Sequence, residues 1–171
     1  MDEKEGMRER IIMDILRWRD EKGKKTGKTT IQKLVYLMEY LGLPLDYEYT
    51  LYTYGPYSKK LMGELEFMRE KGLIEIVWNY DYAGYEISIQ GTAPEVEIEK
   101  RDIIEKVLSD YGTMNAAELE LIATILYLKK RFDTPLNDLV EEVRKVKPKY
   151  SEERVGQTIY DLISRGYLEY D

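Results

Sequence analysis

The chain has 171 residues, of which 43% are hydrophobic and 35% charged, against about 25% charged in an average globular protein. It contains neither cysteine nor histidine. That excludes disulfides, thiol redox chemistry, Ser–His and Cys–His catalysis, and zinc held by its usual ligands. The formal net charge of −7 opposes nucleic-acid binding by the surface as a whole, so any such site must be a local concentration of cations.

The length fits one domain or two small ones. With only three Asn and three Gln beside so much charge, the composition has a thermophile's tendency. No apolar run approaches the roughly 20 residues that span a bilayer. The start, Met1-Asp2-Glu3-Lys4-Glu5, is too acidic for a signal peptide, so a cytoplasmic protein without membrane contact is expected.

In chain order, the first helix is predicted over 7–22. Met7, Ile11, Ile15 and Trp18 form its stripe, and Ile12 and Leu16 widen it. Gly23 stops it. A basic loop follows. Between residues 17 and 33 seven cations face only Asp20 and Glu21, a net of +5. Thr29-Thr30-Ile31-Gln32 fits a capping box for a second helix, with Ile31, Leu34, Val35, Met38 and Leu41 on its apolar face. Gly42 and Pro44 end it.

Glu48-Tyr49-Thr50-Leu51-Tyr52-Thr53-Tyr54 is aromatic and β-branched and predicts a short strand, broken by Gly55-Pro56. Ser58 caps a third helix over 58–71 with Leu61, Leu65 and Met68 on one face, and Gly72 closes it. Ile74, Ile76 and Trp78 then alternate against Tyr85, Ile87 and Ile89 across a turn at residues 81–84, which predicts a hairpin. Helix, strand, helix and hairpin in this order predict a winged helix.

Gln90-Gly91-Thr92-Ala93-Pro94 marks a candidate boundary between a winged-helix-like domain, 1–90, and a helical domain, 95–171. Helices are predicted at about 97–111, at 116–131 behind an Asn115/Glu118 cap, at 135–146 opening on Pro135, and after Ser151. Tyr167-Leu168-Glu169-Tyr170 predicts a short strand. The run from Tyr57 to Gly63 echoes that from Tyr150 to Gly156, which suggests a second helix-turn-helix-like unit. The fold class expected is mainly α with a small β-hairpin, an α+β protein.

Ile31-Gln32-Lys33-Leu34-Val35-Tyr36 followed by Tyr52-Thr53-Tyr54-Gly55-Pro56-Tyr57-Ser58 resembles the SocA-like antitoxin (Panacea) family and related archaeal and bacterial predicted transcriptional regulators. The likeness covers roughly residues 5–90. It implies a non-enzymatic regulatory or adaptor module with no catalytic site. The chain departs from the family in having Tyr52 where an aromatic-Lys-Tyr run is usual, in the hairpin after Gly72, and in its extra helical half.

Enzyme chemistry finds little footing. Gly23-Lys24-Lys25-Thr26-Gly27-Lys28-Thr29 imitates a phosphate loop, but three residues separate its glycines instead of four and a helix precedes it instead of a strand. Carboxylates alone could hold Mg²⁺, but Glu95, Glu97 and Glu99 alternate in a linker and read as solvated, and Glu118 and Glu120 lie near a helix start. No catalytic residue, cofactor or metal is expected.

Two readings of function remain. One is a winged-helix DNA-binding transcriptional regulator that meets double-stranded DNA through Lys24, Lys25, Lys28, Lys33, Lys59 and Lys60, with the 58–71 helix in the major groove. The other is a protein-interaction module, an antitoxin or adaptor, that binds a protein partner or a second copy through Tyr54, Tyr57, Phe67, Tyr80 and Tyr82. The glutamates of the 58–71 helix speak against the first reading, and the hairpin order and the basic stretch speak for it.

Overall fold

The computed structural model describes residues 2–81 and 83–171. Among them, α1 (Glu5–Glu21) and α2 (Lys28–Tyr40) come first, followed by a small hairpin, β1 (Thr50–Tyr52) and β2 (Gly55–Tyr57). Next are α3 (Lys59–Glu70) and the hairpin β3 (Ile74–Asn79) and β4 (Gly84–Ile89). Four helices finish the chain: α4 (Arg101–Tyr111), α5 (Ala116–Phe132), α6 (Leu136–Val146) and α7 (Glu152–Ser164). The protein is therefore mainly helical with two antiparallel hairpins, an α+β chain. No helix among the described residues is long and apolar enough to cross a membrane.

The architecture turns on α5. Leu119, Leu121, Ile122, Ala123, Ile125, Leu126 and Leu128 bury more than one of its faces, as expected of a helix apolar nearly all round. It packs on α2 and β2 from the first half and on α6 and α7 from the second. One cluster of buried apolar side chains runs through Ile11, Leu34, Leu65, Val107, Leu126 and Leu162, so the two halves share their interior across the 90–94 linker.

Local chemistry explains most boundaries. Asn115 accepts from the Glu118 amide at 2.9 Å while the Glu118 carboxylate accepts from the Asn115 amide, a complete capping box. Ser58 and Ser151 cap α3 and α7 by accepting from Leu61 and Arg154 amides. The echo between these two helices holds at their caps and at their terminal glycines, but no strand follows α7. Tyr167 and Leu168 are instead buried with their amides turned back onto the Leu162 carbonyl.

The β3–β4 register is Ile74↔Ile89, Ile76↔Ile87 and Trp78↔Tyr85, the pairing that the alternation predicts. Only the end beside α3 is covered. Ile74 and Ile87 are buried there, while Trp78 and Tyr85 are exposed.

Two features correct the expectations. The first hairpin was anticipated as one strand through Tyr54, ended by Gly55-Pro56. Gly55, at φ 92°, instead turns the chain back so that Gly55–Tyr57 pairs with Thr50–Tyr52. A side chain at Gly55 would also meet the Thr124 hydroxyl at 3.0 Å, so both conformation and contact select glycine here.

The second correction concerns α2. It begins at Lys28 behind Gly27 and has no side-chain cap, so Thr29 and Gln32 form no capping box. Gln32 serves tertiary structure instead. Its amide donates to the Ser58 carbonyl at 2.8 Å and accepts from the Ser58 amide at 3.0 Å, which locks α2 to the start of α3. Both Ser58 groups are buried, so Gln32→Ala would strand a donor and an acceptor at about 1–3 kcal/mol each. A fall in urea midpoint with unchanged m-value is the expected result in chemical denaturation of Q32A.

Candidate nucleic-acid interface

A cleft of about 830 Å³ opens between the two hairpins. Its floor is the end of the α1–α2 loop and the start of α2, with Lys25, Gly27, Lys28, Thr29 and Thr30. One wall is β1–β2 with Tyr52, Tyr54 and Tyr57. The other is β3–β4 with Trp78 and Tyr85, and Met62 and Asn115 reach in from α3 and α5. The hairpin is fixed to the floor by backbone: the Ile87 amide donates to the Thr26 carbonyl at 2.8 Å.

The lining contains no aspartate or glutamate among the described residues, in a chain whose net charge is −7. Lys28 sits 4.1 Å from the centre of the Tyr85 ring, a cation–π contact. Lys28 and Lys25 also reach Glu66 and Glu86 at 3.6 and 3.4 Å. Such pairs between solvent-accessible side chains are worth little and exchange readily for another anion. Trp78 and Tyr85 meet edge to face at 5.0 Å, and Tyr52 stacks obliquely on Tyr57 at 5.0 Å.

The cleft brings together Lys25, Lys28, Tyr54 and Tyr57 from the two sets that the sequence singles out. Lys24 and Lys59 are exposed outside it, and Lys60 pairs with Asp2 at 3.3 Å. Phe67 lies on α3 beneath Lys71, and Tyr80 stands 87% exposed at the hairpin tip. Tyr82 lies outside the described residues.

Lys33 is a correction. It lines the cleft's inner end but is only 1% exposed, and its ammonium donates to the Pro56 carbonyl at 2.6 Å. Burial lowers its pKa to about 8, against 10.5 ordinarily. It holds the β1–β2 hairpin and does not present a charge to solvent.

Glu120, placed by the sequence only near a helix start, is buried. Lys147 and Lys149 each donate to it at 2.9 Å, and the Tyr150 hydroxyl donates at 2.8 Å. Lys147 also donates to the Thr53 carbonyl. Burial alone would raise the Glu120 pKa, but these hydrogen bonds outweigh it and hold it below its usual value. Lys33 and Lys147 thus clamp the tyrosine wall from behind, at Pro56 and Thr53.

Sequence reasoning points to Tyr85 as a hard-to-bury ring of an aromatic wing, but it does not name Trp78 as a binding residue. The signal was present: strand alternation places these two rings opposite each other, at the exposed end of a ribbon whose other end is buried.

No family model matches the chain. It is similar to a Bacillus subtilis (strain 168) protein called Uncharacterized protein YwgA, with 24% identity over 145 residues that span 81% of this chain and 86% of that one.

Proposed function

We propose that this protein is a non-enzymatic regulator that binds nucleic acid in the manner of a winged helix, with α2 and α3 as the helix pair and β3–β4 as the wing. The observation that carries the reading is the cleft: lysines and aromatic rings converge on it, and no carboxylate lines it among the described residues. It also offers no imidazole or thiol for catalysis.

The glutamates of α3 do not oppose this reading once their partners are seen. Glu64 turns inward and accepts from the Arg8 guanidinium at 2.6 Å and from the Tyr47 hydroxyl at 2.5 Å. Glu66 is shared between Lys28 at 3.6 Å and Arg69 at 3.1 Å. The face of α3 that remains in solvent includes Lys59 and Arg69 beside Glu70.

The test is fluorescence anisotropy with labelled duplex DNA over a salt series. Affinity should fall linearly in log–log form, at about 0.9 per phosphate neutralised. Lys25→Ala and Lys28→Ala should each lower that slope by about 1. Absence of salt-sensitive binding of both duplex and single-stranded DNA at low ionic strength would refute the reading. The exposed rings at the two hairpin tips, Tyr54 at 62% and Tyr80 at 87%, favour a second reading. In it the hairpins dock a protein partner, as the antitoxin resemblance also implies.

A further inference from the structure

We infer that the cleft takes an unpaired strand, with phosphates on Lys25 and Lys28 and a base against the aromatic walls. The inference rests on the nucleic-acid reading above and specifies which form of nucleic acid the site selects. The rings are the reason. In a duplex the base faces are stacked inside, and exposing one costs a few kcal/mol. A protein that touches only duplex phosphates gains nothing from solvent-facing aromatic side chains lining a cleft. An unpaired strand presents every base face, and a basic groove with aromatic platforms is the chemistry that holds it without reading sequence.

The geometry agrees with this division of labour. The lysines lie on the floor, Lys28 at the start of α2 and Lys25 in the loop before it, and the rings stand on both walls. Trp78 is 40% exposed and meets Tyr85 edge to face, at 77° between ring planes. Lys28 lies over the Tyr85 ring, and Trp78 meets that ring from across the ribbon. A backbone phosphate at Lys28 leaves its attached base facing the wall that Tyr85 and Trp78 form. Tyr54, at the turn of the opposite hairpin, faces the same space.

The experiment compares a labelled thymidine oligonucleotide of about 12 residues, within the usual span of single-strand sites, with a duplex of the same length at one salt concentration. The single strand should bind at least about tenfold more tightly. Trp78→Ala should weaken single-strand binding by about 5- to 150-fold, the range for one lost stacking platform, and leave duplex binding unchanged. Trp78→Phe should retain most of the affinity but lose the quenching of tryptophan fluorescence that the oligonucleotide causes in the native protein. Equal or tighter duplex binding, or single-strand binding indifferent to W78A, would overturn the inference. Lysine-dependent duplex binding in that case would leave the broader reading standing, whereas no binding of either form would remove both.

Discussion

Replacing Arg8 with methionine should destabilise the protein by about 3–5 kcal/mol, the cost of breaking a buried ion pair by removing one partner. The residue is only 2% exposed. Its guanidinium donates twice to Glu64, at 2.9 and 2.6 Å, and once each to Asp2 at 2.7 Å and the Leu45 carbonyl at 3.3 Å. It also lies 5.4 Å from the centre of the Tyr47 ring. Burial disfavours the charge, but the bonds to Glu64 and Asp2 outweigh that and raise the pKa above its usual value. Arg8→Met leaves the Glu64 carboxylate held by the Tyr47 hydroxyl alone. For a chain of this size the loss corresponds to roughly 10 °C in Tm. R8M/E64M should regain more than half of it, because a buried pair replaced as a unit costs far less than a broken one. Thermal denaturation of the two variants checks this directly.

The second large effect is expected at Glu120. Glu120→Gln removes the charge that compensates Lys147, with Lys33 nearby, and a loss of about 3 kcal/mol follows from the same principle. The pH dependence identifies the cause. The folded-state pKa of Glu120 lies below its ordinary 4.5. Its contribution is therefore complete above the unfolded value and is lost as pH falls through the folded one. Native stability should decline on acidification below about pH 5, and E120Q should show a shallower decline. Lys33 acts in the opposite sense. Its folded pKa of about 8 lies below the ordinary 10.5, so folding gains stability as pH rises between those values. Lys33→Met should abolish that alkaline gain. Denaturant midpoints measured from pH 3 to 10 would separate the two contributions.

These sites show which part of the fold was legible in the sequence. Apolar periodicity located the helices, because an amphipathic stripe repeats within a few residues of itself. Ser58, Asn115 and Ser151 were readable for the same reason, since a cap bonds three residues away. Arg8 and Glu64 are 56 residues apart, and Lys147 and Glu120 are 27 apart. A local pattern treats such groups as solvated, and only the packed chain shows that they compensate each other indoors. Gln32 was misread on the same ground: its type and spacing fit a cap, but its partner is the backbone of Ser58 across the core.

The candidate site was half legible. The charge run between residues 17 and 33 pointed to Lys25 and Lys28, yet in space the run disperses. Arg19 is buried, with bonds to Thr26, Gly112 and Lys25. Lys33 is buried behind the tyrosine wall, and Lys22 lies over Trp18 at 5.2 Å. The acidic total of the chain concealed the cleft, because the glutamates nearest it, Glu66 and Glu86, pair with Lys28 and Lys25 from outside its lining. That separation of charge is a property of the folded surface and has no counterpart in composition.

The most direct measurement is a ¹H–¹⁵N chemical-shift map of the protein titrated with a short thymidine oligonucleotide. The largest changes should fall on the amides of Gly27, Lys28 and Thr29, on Tyr54 and Gly55, and on the Trp78 indole and Tyr85, which line one cleft. Shifts concentrated on α4, α6 and α7, or none at all at low salt, would contradict the assignment of that cleft to nucleic acid.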